Sequence, residues 1–585
     1  MALLIHRRQP SPDHQLQLPE DLHPLVRRVL QQRDLVNIDE LNLSLTGLLP
    51  PGELLGIDGA VDLLLGHLQR QSKVLIVSDF DADGATSCAL GIRAMGAIGF
   101  KNLDYIVPNR FEYGYGLTPE IVQLAATRSP NLIITVDNGI SSLAGTNAAH
   151  DAGIEVLITD HHLPGEELPA AEAIVNPNQP GCKFGSKSLA GVGVIFYLML
   201  ALRSALREKD WFREQGIEEP NLANLLDLVA LGTVADVVTL DRNNRILVNE
   251  GIKRIRAGRA CAGILAMLQI SNRNRQNLAA SDLGFSIGPR LNAAGRLEDM
   301  SLGIECLLTD STDAAYQMAL QLDDLNSDRR LIETEMREQA FKNLEELSLN
   351  EEQMPAGLCL YNEDWHQGVI GILASRVKDK FHRPVIAFAD AGKSDQGVCE
   401  LKGSARSIKG FHIRDALDAI ASRNPGLISK FGGHAMAAGL SLDKDRLESF
   451  SQSFDEYAAS LLGADELLAR MVTDGELRPD EFDLAAAEAL IAAGPWGQGF
   501  PEPVFDGSFI IRDLRILADK HIKLSLGPLS GGDPVEAIAF NADFTQNLQA
   551  GDKLQVIYRL SVNDFRDVRR LQLVVEKFEK ILPDS

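Results

Sequence analysis

The chain has 585 residues, 45% of them hydrophobic and 24% charged, with a formal net charge of −24. That length predicts several domains with ample core, and the absence of an apolar run long enough to span a bilayer excludes a helical membrane protein. The acidic balance argues against a broad basic face for nucleic acid, but it leaves room for a narrow channel lined by local arginines and lysines.

In chain order, residues 1–50 are polar and Pro-containing, with a short helical pattern near Leu25–Gln32, and read as an N-terminal arm. Residues 51–310 alternate strand-like and helix-like runs, which predicts a doubly wound α/β domain. Its first strand, Val74–Val77, runs into Asp79, Asp81 and Asp83, with Gly84 and a helical pattern directly after. Leu132–Val136 ends in Asp137-Asn138-Gly139, and Glu155–Thr159 ends in Asp160-His161-His162. Leu222–Asp236 reads as a helix carrying both Asp227 and Asp236, and Gly288–Arg296 as a loop. Residues 311–350 read as one long acidic and basic helix with an apolar stripe through Leu322, Leu325, Ile332, Met336 and Leu344, a connector spanning roughly 54 Å at the α-helical rise. Residues 351–467 form a second α/β unit. Residues 468–585 turn β-rich, with about five strands that suggest an OB-fold; a generic small barrel is the plainer reading. The expected fold class is therefore α/β, with two α/β lobes joined by a long helix and followed by a C-terminal β domain.

The Asp79–Gly84 run admits several chemistries. An EF-hand requires a bidentate Glu at loop position 12, and Leu90 stands there. An aspartyl-nucleophile phosphatase usually carries Thr or Val where this chain has Asp83. A solvated acidic turn is the bland alternative, and a lone Asp after a strand is most often a turn or helix cap. Three strand-like runs each ending in Asp are harder to dismiss, because ligands of open parallel sheets bind beyond the carboxyl ends of the strands. Mixed carboxylate and imidazole donors suit Mn²⁺ or Mg²⁺, and two such ions would serve a phosphoryl-transfer site. Asp227 and Asp236 are nine residues apart, hence on opposite faces of a continuous helix, so only one of them can face the site.

Gly403, Ser404 and Arg406 offer close backbone approach, a hydroxyl and a bidentate fork to a phosphate. The Gly432-Gly433-His434 run offers amides and an imidazole. Arg290 and Arg296 are placed to line a strand channel, and Tyr113, Tyr115 and Trp365 are candidate base-stacking platforms. The six cysteines, Cys88, Cys182, Cys261, Cys306, Cys359 and Cys399, contain no Cys-x-x-Cys pair. Reduced thiols, no zinc site and a cytoplasmic location are expected, and Met1–Arg8 lacks an extended secretion-type apolar core.

Asp-Phe-Asp-Ala-Asp-Gly (79–84), Val-Asp-Asn-Gly (136–139) and Asp-His-His (160–162) together resemble the DHH phosphoesterases, and within them the bacterial single-strand-specific DNA exonucleases. Further matching runs are 108–117, 228–236, 288–296, 403–407 and 431–439, so the resemblance covers nearly the whole chain. It implies two ions held by Asp79, Asp81, Asp83, Asp137, His161 and Asp236, with Asp227 structural. Asp160 then orients its neighbouring histidines, and His162 stabilises charge on the attacked phosphate. Ser404 and Arg406 then help hold a terminal 5′ phosphate, with Arg110 assisting; Gly433 and His434 are candidates for a nearby phosphate by their residue chemistry. The implied activity is hydrolysis of single-stranded DNA from its 5′ end to mononucleotides, by a monomer in DNA repair and recombination. Single-strand-binding protein and a RecQ-type helicase are the implied protein partners, and no membrane is involved. Two other readings remain: a small-substrate DHH enzyme acting on pyrophosphate, cyclic dinucleotides or short oligonucleotides, and a noncatalytic DHH scaffold.

Overall fold

The structure, a computed structural model, describes residues 4–10, 16–109, 113, 115–346, 354–393, 399–463, 466–468, 470–518, 520–541, 548–565 and 568–581. It divides into two units, residues 1–323 with 472–585, and residues 324–471.

The first unit begins with strand β1 (Leu4–Arg7) and the short helix Pro24–Leu30, whose apolar face of Leu25, Val26, Val29 and Leu30 is buried. Its main sheet is parallel throughout, with strands β2 (Val74–Ser78), β3 (Leu103–Ile106), β4 (Leu132–Val136), β5 (Glu155–Thr159) and β6 (Ala173–Val175) in the order β3-β2-β4-β5-β6. β2 and β4 are buried along their whole length. That explains why they read as unbroken apolar runs rather than as alternating patterns, since helices cover both faces of such a sheet. One feature of the register governs the site. Ser78 lies beside Val136, and Val136 beside Thr159. The residues that follow, Asp79, Asp137 and Asp160, therefore leave three neighbouring strands at one height, each donating its N–H to the strand alongside.

The second unit holds strands β7 (Leu358–Tyr361), β8 (Val385–Lys393), β9 (Cys399–Arg406), β10 (Lys430–Gly433) and β11 (Ala437–Asp443), in the order β10-β11-β9-β8-β7. Aromatic pairs fill its core, Phe450 stacking on Phe454 with ring centroids 6.1 Å apart. The expected connector is the 35-residue helix Thr312–Glu346, about 52 Å long. Trp365, expected as a base-stacking platform, is instead buried at 4% exposure, and its indole donates to Gln339 Oε1 at 2.9 Å. A large ring beside an apolar helix face is taken up by the core.

After β12 (Arg470–Thr473), strands β13 (Phe505–Leu517), β14 (His521–Pro528), β15 (Val535–Ala539), β16 (Lys553–Phe565) and β17 (Val568–Lys580) close into a barrel in the order β13-β14-β15-β17-β16. The parallel β15–β17 pairing closes the cylinder, while the other pairs are antiparallel. This is the expected five-stranded OB architecture. The N-terminal segment does not stand apart as an arm. Arg33, 7% exposed, grips Asp474 through two guanidinium bonds of 2.6 and 3.2 Å, Arg8 adds a third at 3.1 Å, and Arg7 reaches Asp506 at 2.6 Å. The arginines of a polar N-terminal stretch thus serve carboxylates buried just before and within the barrel. Asp474→Ala would leave the Arg33 charge buried without its partner. A loss of about 3–5 kcal/mol is expected, read as a lower urea midpoint; a loss below about 1 kcal/mol would show that the segment is held mainly by its apolar face.

Candidate metal centre

The helix Ala82–Ile98 starts directly after β2, and Asp81 caps it, its Oδ1 accepting from the N–H groups of Asp83 (2.9 Å) and Gly84 (3.0 Å). Asp83, in the first turn, is fully buried. Its two oxygens accept from the amides of Gly191 (2.7 Å) and Val192 (2.9 Å), the first turn of the helix Gly191–Glu208. A carboxylate at a helix N-terminus is a favourable arrangement, and it explains how Asp83 survives in the interior. Gly191 permits the approach, since a Cβ there would lie 2.7 Å from Cβ of Asp137. Gly232 does the same on the other side, where a Cβ would meet Thr86 Oγ1 at 2.3 Å and Asp83 Oδ1 at 2.7 Å.

Asp137 leaves β4 with a left-handed backbone, φ +62°. Asn138 pins the turn, its amide donating to the carbonyls of Val77 (3.1 Å) and Val136 (2.9 Å). His161 Nε2 then stands 3.0 Å from Asp137 Oδ1, 3.4 Å from Asp236 Oδ2 and 4.0 Å from Asp83 Oδ2. Ligand atoms fall into three close groups, each within 4.8 Å: Asp79, Asp81 and Asp137; Asp83, His161 and Asp236; and Asp137, His161 and His162. Asp137 and His161 are each shared between two groups, as adjacent ion positions require.

The electrostatics point the same way. Burial, followed by the charges of Asp83, Asp81 and Asp79, pushes Asp137 well above the usual carboxylate range. Burial and Asp83 do the same to Asp236. Asp83 is pushed up to about 7, burial and Asp81 outweighing the two amides. Among the described residues, Asp137 Oδ1 is buried and its close neighbour is His161 Nε2, without a well-aligned hydrogen bond. A cluster of hard oxygen donors with one imidazole, mutually repelling and short of donors, fits a divalent cation such as Mn²⁺ or Mg²⁺.

Asp160 differs from its neighbours in the row. Burial alone would raise it, but the His162 ring at 2.8 Å and the amide of Ile140 at 2.9 Å hold it below the usual range. The amides of His161 (2.7 Å) and His162 (3.0 Å) close the shell. Asp160 is thus held by donors from within the protein and bonds the His162 ring. In return Asp160, with the charges of Asp79 and Asp81, outweighs the lowering that burial imposes on His162 and raises it to about 9 in the metal-free protein. Tyr115, half exposed, places its hydroxyl 3.0 Å from His162 Nδ1 and donates to the carbonyl of Asp137 at 3.1 Å.

The structure separates Asp227 from Asp236. The predicted single helix is a short 3₁₀ turn, Leu222–Leu225, followed by the α-helix Leu226–Ala235. Asp227 faces away from the site, its Oδ2 accepting from the Cys261 amide at 2.7 Å. Asp236 terminates the helix and joins the cluster. Residues 288–296, expected as a loop, lie in the helix Gly288–Leu297. Arg290, expected to line a channel, is buried on this helix, bonded to the Ser286 carbonyl at 2.6 Å and paired with Asp323 at 2.7 Å. Arg296 is partly exposed near its end. Tyr113 packs against the core cluster around Leu117 and Ile121. Arg110 lies outside the described residues.

In the second unit, Ser404 and Arg406 project from β9 toward the first turn of the helix Ile370–Phe381, where a Cβ on Gly371 would lie 2.9 Å from Ser404 Oγ and 2.8 Å from Arg406 Nη2. A helix N-terminus, a hydroxyl and a guanidinium converging in this way suit an anion. Ser404 pairs with Gly439 and Gly439 with Gly432, so Gly433 and His434 lie two strands away from that pair.

Sequence reasoning missed the asparagines. Asn292 Oδ1 accepts the Ala82 amide at 2.7 Å and so fixes the acidic loop from 210 residues away. Asn178 holds the carbonyl of His161 at 2.6 Å and Asn176 that of His162 at 2.9 Å. Asn292 lies in the run 288–296, between the two arginines that residue type singles out.

Carboxylates and histidines gathered beyond a parallel sheet, with a separate second α/β unit, define a metal-dependent phosphoesterase of the DHH class. The DHH family N-terminal domain matches residues 73–233, the DHHA1 domain residues 355–460 and the RecJ OB domain residues 473–577. The single-stranded-DNA-specific exonuclease RecJ of Escherichia coli is 51% identical over 577 residues, 98% of this chain and 99% of its own. The crystal structure of RecJ from Thermus thermophilus with Mn²⁺ superposes with a TM-score of 0.75 at 27% identity, covering 97% of this chain and 77% of that one. Its Mg²⁺ complex gives 0.72 at 25% identity, covering 97% and 76%. The chain belongs to the RecJ family.

The raised carboxylates set a pH dependence. A folded Asp83 near 7 holds its proton where the unfolded chain, near 3.9, has released it. The metal-free protein therefore loses stability as pH rises between those values, and a cation must displace the proton below pH 7. The apparent Mn²⁺ dissociation constant, measured calorimetrically, is expected to rise about tenfold per displaced proton for each pH unit below 7. Equal affinity at pH 6 and pH 8 would contradict these assignments.

Proposed function

We propose that this protein is a metal-dependent exonuclease that hydrolyses single-stranded DNA from the 5′ end to mononucleotides, in DNA repair and recombination. The observation that carries this reading is the complete acidic and imidazole set at the sheet edge, in a chain that matches a single-stranded-DNA-specific exonuclease along nearly its whole length. A noncatalytic scaffold has no need of such a set. A small-substrate phosphoesterase has no need of the C-terminal barrel, a fold suited to single-stranded nucleic acid.

Asp79, Asp81, Asp83, Asp137, His161 and Asp236 hold the ions, which are Mn²⁺ or Mg²⁺. When bound, these ions supply an activated water for in-line attack and neutralise charge on the phosphate. The chain's own residues do the rest. His162, oriented by its bond to Asp160, faces the phosphate and donates to an oxygen as charge accumulates there. Asp160 holds the His162 ring, while Asn176 and Asn178 hold the backbone carbonyls of His162 and His161. Tyr115 steadies His162 from the solvent side. Ser404 and Arg406, at the start of their helix, take the terminal 5′ phosphate, with Gly433, His434 and Arg110 contributing. Arg296 contacts the strand, while Arg290 acts as a tie that positions the helix bearing Asn292.

The protein works as a monomer in the cytoplasm, on strands exposed by a RecQ-type helicase and coated by single-strand-binding protein. All six cysteines are free thiols, in keeping with a reducing compartment. Among the described residues no helix is long and apolar enough to cross a membrane.

Asp81→Ala and His161→Ala are expected to abolish Mn²⁺-dependent release of nucleotides from a 5′-phosphorylated single strand labelled at either end. Full activity in either variant would remove the metal assignment. Asn292→Ala, which frees the Ala82 amide, is expected to lower kcat about 10- to 100-fold without unfolding the protein; an unchanged kcat would show that the acidic loop needs no support from that helix.

A further inference from the structure

Two large apolar side chains stand in solvent beside the metal centre. Phe285 is 80% exposed and Val237 63% exposed. Val237 directly follows the ligand Asp236 and has a left-handed backbone, φ +61°. A β-branched residue rarely adopts that conformation, and strain of this kind collects at functional sites. Phe285 sits in a π-helical turn, Leu283–Ile287, with Leu283, Ser286 and Ile287 buried. Such turns push a side chain out of the ordinary helical register and recur at functional sites. The turn packs on the end of the helix that delivers Asp236, since a Cβ on Gly284 would lie 3.2 Å from Val234 and one on Gly288 3.1 Å from Ala235.

Between these side chains lies a cavity of about 320 Å³, lined also by Val234, Trp496, Gln498 and Glu502. Trp496 is fixed by stacking on Phe500, ring centroids 4.9 Å apart, and by its indole bond to the Leu490 carbonyl at 2.8 Å. Glu502 is neutralised by Arg559 at 2.6 Å. The walls are therefore apolar and aromatic, and the one acid among these six residues already has its counter-ion. Such a surface suits a flat, weakly polar ring rather than a phosphate.

We propose that this cavity is a nucleobase subsite, in which Phe285 stacks on an unpaired base of the strand whose phosphate lies at the metal centre. It rests on the single-strand reading above. Continuity with the site argues for DNA rather than a protein partner, because the residue that follows a metal ligand forms its wall. Aromatic stacking of this kind tolerates any base.

The test is equilibrium binding of 5′-phosphorylated oligothymidylate without divalent ions, followed by fluorescence anisotropy. Phe285→Ala is expected to raise the dissociation constant between about 5- and 100-fold, and Phe285→Trp to restore it to within about twofold of wild type. In wild type, scanning a single abasic nucleotide from the 5′ end should reveal one position with a comparable loss, and that loss should vanish in Phe285→Ala. Wild-type affinity in Phe285→Ala, or a base dependence that persists in it, would overturn the subsite while leaving the exonuclease reading intact. If wild type did not bind the oligonucleotide at all, both would fall.

Discussion

Three carboxylates leaving adjacent parallel strands at one height repel one another, and the structure resolves that repulsion in two ways. Asp160 is satisfied from within the protein by three amides and the His162 ring. Asp79 and Asp137 turn toward Asp81, His161 and each other, and at Asp137 burial opposes ionisation unless a cation is present. The same row therefore yields an anchored orienting group and a cation-dependent centre. The difference lies in which backbone donors the local turns supply.

Most of the surrounding architecture serves to bring distant segments against that row. The N-terminus of the helix Gly191–Glu208 supplies two amides to Asp83, while Gly191 and Gly232 give up side chains so that two helices can close on the cluster. Asp236 arrives at the end of one of those helices, and Asn292 clamps the acidic loop from another. The barrel shares this unit with the N-terminal segment through a buried arginine–carboxylate network, so the two ends of the chain are joined by charge as well as by apolar contact. In the second unit a guanidinium and a hydroxyl meet at a helix start, a local arrangement that suits an anion rather than a cation.

The local signals in the sequence were strong where one physical rule dominated. Buried parallel strands read as unbroken apolar runs, so β2, β4 and β5 were legible, as were the long helix and the five barrel strands. Asp227 and Asp236 could be placed on opposite faces by helical periodicity, but the choice between them needed a resemblance. Legibility failed where a residue's role depends on a partner far along the chain. Trp365 and Arg290 looked like open recognition groups by residue type, yet Gln339 and Asp323 take them into packed surroundings. Asn292, Asn176 and Asn178 looked ordinary because their carbonyl and amide partners are fixed only once the chain has folded.

By itself, the sequence determined the chemistry available: which strands end in carboxylates, and that imidazoles accompany one of them. Only the tertiary structure decided how those groups divide their work. Lateral strand register set Asp79, Asp137 and Asp160 at one height, and helix ends supplied amides to some carboxylates and not to others. Register and helix termini are non-local properties, fixed by hydrogen bonds between segments that periodicity along the chain does not encode.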